Sequence, residues 1–153
     1  RVQVPPGMDE GHLLRVPGYG NLGPGGPGDL YLRIRVRPHP HLERQGPDLV
    51  YRLRLGLAQA ALGARVVVPG LEGPIPLDIP PGTGHGEVFA LEGGGLPLPG
   101  GRGRGTLRVV VERAVPKKLS HKAQKRLRAY AAEAGEEVAP EGFWERLKGF
   151  FRK

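Results

Sequence analysis

Hydrophobic and polar residues alternate along several short segments of the chain. Within residues 30–37 the even positions are apolar up to Val36, whereas the odd positions carry Tyr31, Arg33, Arg35 and Arg37. The same period of two recurs in residues 49–55 and 75–79. Because successive side chains of a strand point to opposite faces of a sheet, this pattern predicts half-buried strands. We expect these strands to pair antiparallel, with one face on a core and the other in water.

A long segment of the chain occurs twice. Val4-Pro-Pro-Gly7 recurs as Ile79-Pro-Pro-Gly82 at an offset of 75 residues, and residues 28–34 match residues 105–111 after a two-residue insertion. Proline presets the backbone for a turn and glycine supplies positive φ angles. Each copy is therefore predicted to form a strand, a Pro-Pro-Gly turn, a second strand, a glycine-rich loop and a long strand.

The second copy is preceded by a piece that the first copy lacks. It is predicted as a strand at 49–55, a short helix at 57–62 ended by Gly63, and a strand at 65–68. The simplest interpretation is a first domain truncated at its N-terminus. The predicted fold class is mostly β, with two tandem similar β-sandwich domains and a helical tail. The predicted boundaries are 1–38 for the first domain, 39–47 for an interdomain segment, 48–116 for the second domain and 117–153 for the tail.

The hydrophobic period changes after Pro116. Ser120 is a candidate N-cap, and apolar residues from Ala123 to Ala134 follow the spacing of a helix that ends at Gly135. A second helix over 141–152 gathers large apolar side chains on one face, which predicts dimerisation; the alternative is that this face packs on its own domain. The predicted dimerisation residues are Phe143, Trp144, Leu147, Phe150 and Phe151.

Composition narrows the possible chemistry. The 153 residues include no cysteine, and the five histidines are scattered, so we expect no metal and no cofactor. The chain has no serine-histidine-acid arrangement and no phosphate loop, which argues against an enzyme. No apolar run is long enough to cross a bilayer, and we expect a cytoplasmic protein without a membrane partner. The net charge of +8 leaves a second interpretation open, a basic nucleic-acid-binding or ribosome-associated β protein.

The motifs together resemble the C-terminal half of DnaJ-type co-chaperones. The matching pieces, in family order, are Val4-Pro-Pro-Gly-Met-Asp-Glu-Gly11, Gly28-Asp-Leu-Tyr-Leu32, His39-Pro-His-Leu-Glu-Arg44, Asp48-Leu-Val-Tyr51, Ala60-Ala-Leu-Gly63 and Gly105-Thr-Leu-Arg-Val109. The resemblance implies a non-catalytic homodimer that binds unfolded polypeptides and presents them to a DnaK-type chaperone. The family's J domain and zinc-binding region have no counterpart in these residues. Under this interpretation nucleic acid is not an expected partner.

The resemblance also implies a client-binding groove. In relatives it lies in the first domain, between the strands before and after the short helix; the same elements are carried here onto the second domain. The implied client-binding residues are Tyr51, Leu53, Leu55, Val66, Val68 and Phe89. The alternative is that all six are ordinary core. Against it, Val66, Val67 and Val68 are successive apolar residues, so one of them must point away from the core.

Overall fold

The computed structural model describes residues 1–98 and 101–150, with side chains as far as Leu147 except that of Glu145. The chain forms two compact units, which meet in the sequence between Val115 and Pro116. The first unit contains both copies of the repeat. The second unit contains the tail.

The first copy forms two small antiparallel hairpins. Strand β1 (Leu13–Val16) pairs with β4 (Leu30–Arg33), and β2 (Leu22–Gly23) pairs with β3 (Gly26–Pro27). None of residues 1–38 is buried. An isolated two-stranded hairpin is only marginally stable in water, so the folded conformation of the first copy depends on its contacts with the rest of the first unit. A complete first sandwich therefore stays a prediction.

The second copy forms a two-layer structure around one core. Its elements are β5 (Leu42–Gln45), β6 (Asp48–Gly56), α1 (Leu57–Leu62), β7 (Ala64–Gly70), β8 (Gly73–Ile79), β9 (Val88–Leu91) and β10 (Leu107–Ala114). One sheet has the order β5-β6-β10-β9, and β7 pairs with β8 in the other. The predicted strand, helix and strand before the second copy are thus confirmed. Strand β5 lies inside the segment 39–47, which is predicted to be interdomain.

Strand pairing is antiparallel everywhere in the described residues except at the centre of the larger sheet. There β10 pairs parallel with β6, in the register Leu107 to Leu49 through Ala114 to Gly56. The expectation of antiparallel pairing was wrong for this pair. The two strands are more than fifty residues apart in the sequence, and alternation within a strand gives its buried face but not its direction beside a distant partner.

The core lies between the two sheets. Its buried side chains are Leu42, Leu49, Leu53, Leu55, Ala60, Val68, Ile79, Leu107, Val109 and Val111. On β6 and β10 these are the odd-numbered positions, as the alternating pattern predicts. The even positions of β6 after Val50 carry Arg52 and Arg54, which are exposed on the outer face of the sheet.

Equivalent backbone hydrogen bonds confirm the repeat. The Gly11 amide donates to the Ile34 carbonyl at 2.9 Å, and the Gly86 amide donates to the Val111 carbonyl at 2.8 Å. Gly20 likewise donates to Gly28, as Gly95 does to Gly105. The partners in each case differ by the 75-residue offset and by the two-residue insertion that the sequence showed.

The second unit contains two helices in its described residues. Helix α2 spans His121–Glu133, and the hydroxyl of Ser120 accepts a hydrogen bond from the Ala123 amide at 3.2 Å, which confirms the N-cap. Gly135 has a φ of 71°, as a helix C-terminus favours. Helix α3 spans Phe143–Phe150. No helix among the described residues is long and apolar enough to cross a membrane.

Candidate functional site

Half of strand β6 has an open edge. On one side β6 pairs with β10 along residues 49–56, but on the other side β5 covers only Asp48 to Tyr51. The Leu49 amide donates to Thr106 on the β10 side, so the odd residues of β6 direct their backbone groups towards β10. Because backbone direction alternates along a strand, the amides and carbonyls of Arg52 and Arg54 face the open side.

The chain turns away from β6 because of a local cap. Nδ1 of His39 accepts hydrogen bonds from the amides of His41 at 3.2 Å and Leu42 at 3.1 Å. These bonds hold residues 39–42 in a turn, and β5 begins only at Leu42. The last part of β6 is therefore left without a neighbour on this side among the described residues.

A depression of about 380 Å³ lies beside the open edge. Residues 39–43 form one wall, and residues 51–54 of β6 form the other. Tyr51 is half-buried and Leu53 is buried on the core side of the strand. On the outer side Arg52 lies between Glu43 and Glu112, with contacts of 3.0 and 3.2 Å. Hydrogen bonds to these two carboxylates raise the pKa of Arg52, which stays charged.

The six client-binding residues implied by the family resemblance differ in their accessibility. Leu53, Leu55 and Val68 have exposures of 6%, 0% and 0% and belong to the core. Tyr51, Val66 and Phe89 are half-buried and pack against that core. The structure therefore brings all six into one hydrophobic cluster, but only the last three present partly accessible surface. Their role in binding stays a prediction.

The run of three valines behaves as its pattern requires. Val66 and Val68 face the core, whereas Val67 points outward and is 62% exposed. Its partner across the hairpin is Pro76, and Pro69 lies opposite Pro74 on the same face. Both prolines of β8 lie at positions whose nitrogens face away from β7, so the outer edge of β8 lacks donors there. The outer edge of β7 keeps the amide of Val67.

The dimerisation residues predicted in the tail lie on or next to α3. Phe143 and Trp144 are 37% and 63% exposed, and their rings meet edge to face at a centroid distance of 5.3 Å. Leu147 is half-buried. Phe150 ends the helix, and Phe151 lies outside the described residues. The helix thus presents aromatic surface to water, and a dimer stays a prediction.

Sequence reasoning missed the open edge itself. Alternation identified β6 as a strand with Tyr51 and Leu53 on its core face, but it gave no signal for where β5 stops. The only local signal is His39, whose side chain accepts hydrogen bonds from the amides two and three residues further along the chain. A histidine in a turn has many other uses, so this signal is recognisable only once the strand pairing is known.

The structure is that of a β-rich module with an open strand edge. Residues 1–116 match the DnaJ C terminal domain family, and the chain belongs to this family. The match ends next to the boundary between the two compact units, at Val115 and Pro116.

Individual relatives extend the similarity into the tail. The chaperone protein DnaJ of Leptospira biflexa is 41% identical over 154 residues, which covers 99% of this chain and 40% of that protein. The chaperone protein DnaJ of Acetivibrio thermocellus is 42% identical over 155 residues, which covers 100% of this chain and 39% of the relative. The chain therefore spans about 40% of the length of these relatives.

Proposed function

We propose that this chain is a non-catalytic co-chaperone region that binds extended hydrophobic segments of unfolded client proteins at the open edge of β6. The observation that carries the proposal is the pair of outward-facing backbone groups at Arg52 and Arg54, beside the depression at Tyr51. Membership of the DnaJ family supports the same role. Presentation of the clients to a DnaK-type chaperone is part of this proposal.

The mode of binding is addition of a strand. A client segment in extended conformation pairs its main chain with Arg52 and Arg54, which requires no particular client sequence. Its alternate side chains then lie on two sides of the sheet. Those on the core side reach Tyr51 and the depression, whereas those on the outer side lie near Arg52 and Glu43. We therefore expect clients with apolar residues at every second position and polar residues between them.

A substitution at Arg54 tests this mode directly. Proline at this position removes an amide that faces the open edge and places its ring where the client strand would lie. A net hydrogen bond contributes about 0.5–1.5 kcal/mol, so with the steric block we expect affinity for an unfolded polypeptide to fall about fivefold or more. Fluorescence anisotropy with a labelled unfolded hydrophobic polypeptide measures the change.

Two further variants make the result specific. Arg54→Ala removes the side chain and keeps the amide, so it should bind like the original chain. Val67→Pro removes the corresponding outward amide on β7. If Arg54→Pro and Arg54→Ala bind the polypeptide with equal affinity, the proposed site on β6 is wrong. If only Val67→Pro loses affinity, the client binds at the edge of β7 instead.

We also propose that α3 forms a homodimer through its aromatic face. Trp144 is the most exposed of the predicted contact residues with a described side chain, and burying a large apolar side chain contributes about 1.5–3 kcal/mol. Two copies joined in this way would offer two client sites, which raises avidity for a long unfolded chain. The partner is thus a second copy of the same chain.

Analytical ultracentrifugation of Trp144→Asp tests the dimer. The original chain should sediment as a dimer, and the variant should shift towards monomer. Because a two-fold interface uses the same residues of both copies, the substitution places two charges in it. Leu62→Asp is the control, since Leu62 is also highly exposed but lies on α1. A monomeric original chain, or a variant that remains fully dimeric, would count against this interface.

A further inference from the structure

One strand of the first repeat carries a run of aromatic and cationic side chains on one face. Along β4 and the residues that follow it, Tyr31, Arg33, Arg35 and Arg37 are all exposed, whereas Leu32 and Ile34 on the opposite face are half-buried. Strand β4 ends at Arg33. Beyond it the Ile34 amide donates to the His12 carbonyl at 2.8 Å, and the Val36 amide donates to the Glu10 carboxylate. We call these four side chains the arginine stripe.

The three arginines of the stripe form no ion pair with any described carboxylate. The first repeat has only three acidic residues, and none of them pairs with an arginine of the stripe. Asp29 pairs with Arg15 at 2.6 Å, Asp9 pairs with Arg44, and Glu10 accepts from the Val36 amide. The Glu10 carboxylate thus lies beside the stripe, but no described carboxylate forms an ion pair with the three arginines.

The second repeat shows what the same face looks like when it is neutralised. The positions equivalent to the stripe carry Arg108, Val110, Glu112 and Ala114. There Arg108 pairs with Asp48 at 2.8 Å, and Glu112 pairs with Arg52 at 3.2 Å. The pairing of β10 with β9 is equivalent to that of β4 with β1, but β10 also pairs with β6, the strand that carries Asp48 and Arg52. Folding of the repeat alone therefore does not require arginine at positions 33, 35 and 37.

We propose that the arginine stripe binds single-stranded nucleic acid. Alternate residues of a strand are about 6.6 Å apart, an interval comparable to that between successive phosphates of an extended single strand. Guanidinium groups bind phosphate oxygens through two parallel hydrogen bonds. Tyr31, which is 57% exposed, supplies a ring on which one base stacks. This function is separate from client binding, and it assigns to named residues the nucleic-acid interpretation that the net charge left open.

An acidic polypeptide is the competing ligand. An added peptide strand would use a sheet edge, whereas the stripe lies on a sheet face, and sheet faces bearing aromatic and basic side chains are a common platform for single strands. An acidic peptide also has no base that could stack on the ring of Tyr31. Comparing an oligonucleotide with an acidic peptide of equal charge distinguishes the two ligands.

Salt dependence gives the first measurement. With three phosphate contacts on a single strand, the logarithm of the association constant should fall with the logarithm of salt concentration at a slope of about −2. Binding of a short labelled oligothymidylate should then weaken about 20-fold between about 50 and 200 mM salt. Anisotropy of the label on the full 153-residue chain measures both quantities.

The variant that removes the stripe is Arg33→Gln, Arg35→Gln and Arg37→Gln together. It should bind the oligonucleotide about tenfold or more weakly at low salt and lose most of the salt dependence. Tyr31→Ser should weaken binding about fivefold or more by removing the stacking surface. Circular dichroism of each variant checks that the fold is kept.

A matched control separates the stripe from general charge attraction. Lys118→Gln, Lys122→Gln and Lys125→Gln together remove the same charge from the tail, and this variant should bind within about twofold of the original chain. Equal losses in the two triple variants would overturn the proposal. So would an oligoglutamate of equal charge that binds as tightly as the oligothymidylate.

Discussion

Replacing Arg44 with alanine is expected to release the first repeat from the second without unfolding the second. The guanidinium of Arg44, on strand β5, donates to the carbonyls of Met8 at 2.9 Å and Gly7 at 3.2 Å, and it also pairs with Asp9. A Cβ at Gly7 would lie 2.5 Å from the Pro97 carbonyl oxygen, so the two copies also touch closely there. Since residues 1–38 have no buried side chain, these contacts hold the first copy in place.

The expected magnitude follows from the two carbonyl contacts. Hydrogen bonds from a charged donor contribute about 1.5–3 kcal/mol each when buried, but the Arg44 side chain is 27% exposed and water can replace part of the loss. The Asp9 pair, with 61% exposure on the carboxylate, adds less than about 1 kcal/mol. We expect the free energy that holds the first repeat to fall by about 2–3 kcal/mol in total.

Hydrogen exchange measures this release. The amides of Gly11 and Ile34, which are bonded within the first copy, should exchange about 30- to 150-fold faster in Arg44→Ala. The amides of Gly86 and Val111, which make the equivalent bonds in the second copy, should be unchanged. Arg44→Lys keeps the charge but loses the fork of donors and should behave like alanine. Unchanged exchange at Gly11 and Ile34 would refute the reasoning.

Other changes should act on the second copy. Gly105→Ala places a Cβ 2.2 Å from the Pro47 carbonyl oxygen and should lower stability by more than about 3 kcal/mol in urea denaturation, whereas Gly25→Ala, which meets nothing within 4 Å, should be near neutral. A hydrogen bond from Arg65 lowers the pKa of Asp78 below its ordinary 3.8, so its stabilising effect is present above about pH 4 and lost as pH falls through the lowered value. An NMR titration should show the Asp78 pKa returning towards 3.8 in Arg65→Gln, and an unchanged value would contradict this.

The sequence by itself determined the local elements and the repeat. Alternation gave the buried face of β6, Ser120 marked the start of α2, and Gly63 marked the end of α1, because each signal acts within a few residues. The offset of 75 residues predicted equivalent structures, which the matching hydrogen bonds of Gly11 and Gly86 confirm.

The tertiary structure decided which backbone groups and side chains are accessible. Parallel pairing of β10 with β6, together with the early turn at His39, leaves Arg52 and Arg54 on an open edge. The same packing buries Leu55 completely, although its pattern matches that of half-buried Tyr51. A period of two assigns a residue to a face, but burial and edge position depend on strands far away in the sequence, and no local pattern records where those strands begin.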